Sequence, residues 1–136
     1  MKKLLFSFLI IGLVLMSYSC SNKQFNDGEW DDCIKLSAKN VEFASSEDSV
    51  IIKTGGTGWW ITHVSVNDDR FYSFENVNPR ADKFLIELDC FVIERRDKHT
   101  LFIKLEKNPL EVERIITIGL EAGDYFDGIK ITQKPK

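Results

Sequence analysis

From residue 33 onward, apolar side chains recur at every second position in short runs, and turn-forming residues cut those runs about every 8 to 12 positions. A period of two places alternate side chains on opposite faces of a strand. Runs of this kind stay folded by burying one face of each strand against an opposing sheet, so the pattern predicts an all-β, two-sheet antiparallel sandwich. The runs are Ile34 to Ser37, Val41 to Phe43, Ser49 to Thr54, Trp59 to Val66, Arg70 to Phe74, Phe84 to Leu88, Phe91 to Glu94, Thr100 to Leu105, Arg114 to Leu120, and a last one holding Ile129 and Ile131. Gly55, Gly56 and Gly58 are expected to form a hairpin loop, and the polar stretch from Arg95 to His99 a solvated hairpin tip. No segment of this part sustains a helical period beyond about two turns.

Ahead of this region the chain has a different character. Lys2 and Lys3 precede an apolar run from Leu4 to Met16, and Ser17, Tyr18 and Ser19 lead into Cys20. A charged start, a short apolar stretch and a small-residue exit read as a secretory signal. The run is shorter than the roughly 20 residues that a membrane-spanning helix takes. Cys20 at the cleavage point resembles the lipid acceptor of a bacterial lipoprotein, although Ser17 stands where such signals usually carry leucine. Residues 1–19 are thus expected to be a lipoprotein signal, residues 20–32 a flexible tether and residues 33–136 the folded domain. That places the protein in the cell envelope, anchored to an outer membrane through lipid on Cys20, with its periplasmic or surface orientation open.

The formal net charge is −3, and losing Lys2 and Lys3 with the signal makes the mature chain more acidic. A balance of this sign offers no basic face for nucleic acid. With Cys20 lipidated, Cys33 and Cys90 form the one remaining pair. Export permits a disulfide between them, but each also sits among apolar strand residues, where a free thiol packs as a small hydrophobe; both readings stay open. No C-x-x-C, H-E-x-x-H, G-x-S-x-G or phosphate-binding glycine loop occurs, and His63 and His99 lack ligand-spaced companions. No metal, no cofactor and no catalytic residue is therefore expected, and the protein is read as a non-enzyme.

The closing residues carry a family likeness. A strand ends near Asn108, a short loop follows, Arg114 opens a strand of alternating isoleucines, and the last strand finishes on Ile131-Thr132-Gln133. This resembles the end of a BACON domain, an immunoglobulin-like module common in exported proteins of Bacteroidetes. The front half is similar too, in Ile34-Lys35-Leu36-Ser37, Val41-Glu42-Phe43, and glycines followed by tryptophan. The likeness spans about residues 33 to 134. It departs at Cys90 or Phe91, where the family often carries tryptophan.

The resemblance implies an immunoglobulin-like sandwich and a glycan or mucin ligand. The alternative is a protein-interaction or spacer role within an envelope assembly. Sugars stack on exposed aromatic rings, so Trp59, Trp60 and Tyr72 are the candidate ligand residues. Ile61 makes Trp59 a credible core plug, which would leave Trp60 outside. Trp30, in the tether, either docks on the domain or awaits a partner.

Overall fold

The computed structural model describes residues 30–136. The signal, Cys20 and the first part of the tether lie outside the described residues. Nine strands follow in order: β1 (Asn40–Phe43), β2 (Asp48–Lys53), β3 (Trp60–Val66), β4 (Asp69–Phe71), β5 (Phe84–Leu88), β6 (Phe91–Asp97), β7 (Thr100–Leu105), β8 (Arg114–Ala122) and β9 (Tyr125–Gln133). They form two sheets, one in the order β1-β9-β8-β3-β4 and one in the order β2-β7-β6-β5. Every pairing is antiparallel except β1 with β9, which is parallel. The described chain contains no helix. It is the all-β sandwich that the alternation predicts.

Isoleucine and leucine fill the space between the layers. Ile116, Ile118, Leu120, Ile129 and Ile131 come from the five-stranded sheet and Ile52, Ile93, Leu101, Ile103 and Leu105 from the four-stranded one, all essentially without solvent contact. β-branched side chains suit such a pleated, two-sided interior. Arg114 and Gln133 extend the inward-facing rows of β8 and β9 to one end of the sandwich.

Three local expectations are corrected. Ile34 to Ser37 is no strand; only Leu36 bridges to Thr54. Asp32 Oδ1 accepts the amides of Ile34 and Lys35, and Lys35 takes a left-handed φ of 54°, which ends extension there. The Gly55–Gly58 loop is a crossover, because β2 and β3 belong to different sheets. The amides of Gly55 and Gly56 tie it to the carbonyl of Ile34. Finally, β6 continues through Arg95 to Asp97, so the turn is confined to Lys98 and His99, and Arg95 is buried.

The two ends of the sandwich differ. The described chain enters beside the Gly55–Gly58 loop, the β6–β7 turn and the start of β9, where Lys39 pairs with Asp127 at 2.8 Å. The opposite end carries the β3–β4 and β5–β6 turns and the C-terminus. Among the described residues, strands β4 and β5 are the free edges on one side, β1 and β2 on the other.

Candidate functional site

Trp59 is a core residue, 2% exposed, and cannot present a face to ligand. Its indole N–H donates to Thr54 Oγ1 at 3.0 Å. The Arg95 guanidinium lies 3.7 Å above its ring centroid, itself 1% exposed. Among the described residues no carboxylate lies within ion-pairing distance of Arg95. Instead it donates to four carbonyls: Trp59 at 2.9 Å, Thr57 at 2.9 Å, Ala81 at 3.2 Å and Lys98 at 3.3 Å. Burial pulls its pKa below the ordinary guanidinium value, and Asp82 and Asp97 pull in the opposite direction. One side chain thus ties three loops to the sandwich end. Its work is structural.

Trp60 faces the outside of the five-stranded sheet, opposite Glu121. It is half-buried, and the Arg80 guanidinium covers it at 4.2 Å from the ring centroid. The next row holds His63 and Gly119. Register shifts between Ile61 and His63, a β-bulge that lets Ile61 and Val64 both point inward. Two side chains of β3 then lie over one residue of β8, and a Cβ on Gly119 would overlap the His63 ring. That close approach requires glycine. Burial and nearby Arg70 hold the His63 pKa below its usual value.

Tyr72 is 66% exposed, with its ring centroid 5.8 Å from that of His63. Phe126, opposite Glu121 on β9, is 67% exposed. Tyr72 and Phe126 are three strands apart, about 14 Å at the usual strand spacing. The two open rings do not form one platform, and the tryptophan between them is capped. Of the three candidate ligand residues, Tyr72 alone stands free.

A concave surface lies elsewhere, between the free edges of β4 and β5. A cavity of about 380 Å³ is lined by Phe71, Phe74, Val77, Ile86 and Leu88, with Glu75, Leu85 and Glu87 on its rim. A second, of about 270 Å³, shares Phe71 and Leu88 and continues to Val66, Asp69, Asp89 and Cys90. Together they make a trough along β5 that reaches the end of the sandwich opposite the chain's point of entry. Its walls mix apolar Phe71, Phe74, Val77, Ile86 and Leu88 with polar Ser73 and Asn76, and its charged lining residues are all acidic. Leu85 is 46% exposed, an apolar residue on the otherwise acidic outer face of β5. Sequence reading passed over this surface. Leu85 alternating with Glu87 was the one signal of it, and the approach of Phe71 and Phe74 is not visible in the chain order.

Other singled-out residues are structural. Arg114 Nη1 donates to the Glu106 carbonyl at 3.0 Å and to Gln133 Oε1 at 3.1 Å. Gln133 Nε2 donates to the carbonyls of Ser46 and Glu106, both at 3.0 Å, and Asn108 Nδ2 to those of Val112 and Lys134. The residues that carry the family likeness are therefore one buried clamp on loop backbone. Cys33 and Cys90 are free thiols and no disulfide joins them. Cys33 adjoins Gly56, whereas Cys90 turns between β5 and β6 at the other end, about 20 Å away along β6. Burial raises the Cys90 pKa. Trp30 is 63% exposed and undocked. Among the described residues no three His, Cys, Asp or Glu side chains are grouped to hold a metal ion.

A solved protein shares this architecture. It is a protein from Bacteroides thetaiotaomicron whose NMR structure matches with a TM-score of 0.64, covering 82% of this chain and 94% of that one. At 16% identity the likeness concerns the fold alone. No protein-family model and no curated protein matches the chain.

Proposed function

We propose that this is a non-catalytic contact domain of the cell envelope, carried on an outer membrane by lipid on Cys20, and that its contact is a partner protein. The observation carrying this reading is the trough between β4 and β5, a concavity with aromatic and aliphatic side chains in its lining, beside two strand edges that are unpaired among the described residues. Edges of this kind invite further strand pairing unless they are covered. The tether enters at the opposite end, so the far mouth of the trough points away from the anchor.

The second reading is glycan binding on the outer face of the five-stranded sheet, in keeping with the BACON resemblance. Exposed Tyr72 and Phe126 favour it; the Arg80 cap on Trp60 and the spacing of the open rings weigh against it. A glycan array probed with the full chain separates the two. A blank array is expected. Saturable binding to a glycan that Tyr72→Ala or Trp60→Ala abolishes would overturn the protein-docking reading.

A further inference from the structure

The chemistry of the trough specifies its occupant more closely. Resting on the protein-docking reading, we propose that the partner presents an extended segment of alternating basic and apolar residues, which adds to β5 as a fifth strand of that sheet. Three observations meet here. Leu88 pairs with Phe91 across the two-residue turn Asp89-Cys90. In an antiparallel ladder, hydrogen-bonded pairs alternate, so Leu88, Ile86 and Phe84 bond to β6 while the backbone groups of Leu85 and Glu87 point outward, away from the sheet. That outward edge is the backbone a new strand needs.

The side chains of an added strand alternate between two environments. Those pointing inward meet the apolar floor of Phe71, Phe74 and Leu88. Those pointing outward run beside Leu85 and Glu87, and the trough's charged lining residues, Asp69, Glu75, Glu87 and Asp89, are all acidic, with no lysine, arginine or histidine among the lining residues. Lysine or arginine at every second position satisfies that rim, and apolar residues between them fill the floor. β5 is five residues long, so about five residues of partner suffice to pair its whole length. A second copy of this chain is the wrong occupant, because two acidic rims would repel. The chain's own residues 20–29, CSNKQFNDGE, hold a single lysine against two acids and lack the alternation of basic and apolar residues.

The test uses the full chain in detergent with fluorescent peptides of about eight residues, alternating Lys/Val, Ser/Val or Glu/Val, and a Lys/Val peptide N-methylated at alternate residues. The Lys/Val peptide is expected to bind and to slow hydrogen exchange of the Leu85 and Glu87 amides by about tenfold or more. N-methylation should abolish binding, and the Glu75→Lys/Glu87→Lys variant should turn the preference toward Glu/Val. Equal or tighter binding of Ser/Val or Glu/Val by the unmodified chain would overturn the basic partner while leaving protein docking intact. Lys/Val binding that ignores N-methylation and leaves both amides unprotected would overturn strand addition. Absence of binding by every peptide would overturn the inference, and a Tyr72-dependent glycan hit beside it would overturn the docking reading as well.

Discussion

Replacing Arg95 with alanine removes the donor group that the four loop carbonyls share. The Trp59 carbonyl is buried at that contact, and leaving it unmatched costs about 2 kcal/mol; the three part-buried carbonyls can recruit water and lose about 1 kcal/mol each. The cation stacked on Trp59 in a desolvated setting contributes about 2 kcal/mol more, and the buried methylene stem another ~2 kcal/mol. Releasing a guanidinium from burial without a counter-ion returns several kcal/mol, roughly half of these losses. The net destabilisation is therefore about 4 kcal/mol, a large part of the 5–15 kcal/mol typical of a domain. Arg95→Met keeps a packed stem and should lose about 2 kcal/mol. Urea unfolding followed by tryptophan fluorescence measures both values. A loss below about 1 kcal/mol for Arg95→Ala would refute the view of this residue as the tie between loops. So would equal losses in the two variants, which would remove the stem from the account.

Two further outcomes follow from the geometry. Gly119→Ala forces the His63 ring off the sheet face and should cost about 1–3 kcal/mol; adding His63→Ala should recover much of that in the same unfolding assay, and purely additive losses would argue against the contact. In unreduced protein, thiol titration with peptide mapping should find Cys33 and Cys90 both free, the exposed Cys33 reacting first. Because the Cys90 pKa is raised, its thiolate fraction is low at neutral pH and its reaction should accelerate well into the alkaline range; a Cys33–Cys90 cross-linked peptide would contradict the separation of the two thiols.

Alternation along the chain was enough to announce the layers, because a period of two assigns every strand residue to a face before any partner is known. Ile116, Ile118 and Leu120 could be placed inside from order alone, whereas Trp59 stayed a candidate for both core and ligand contact until its burial was seen. Three things needed the folded chain. The bulge at Thr62 and His63 shifts the phase of β3, so Val64 points inward where strict alternation from Ile61 would turn it out. Arg95 looks like a solvated charge in a polar stretch, yet carbonyls from residues 57, 59 and 81 converge on it and make burial tolerable. The trough exists because β4 and β5, joined by a loop from Tyr72 to Lys83, end as free edges of different sheets on one side. Facing is a local property of the backbone and can be read residue by residue. Adjacency between sheets arises from contacts distant in sequence, and those alone created the concave surface and its acidic rim.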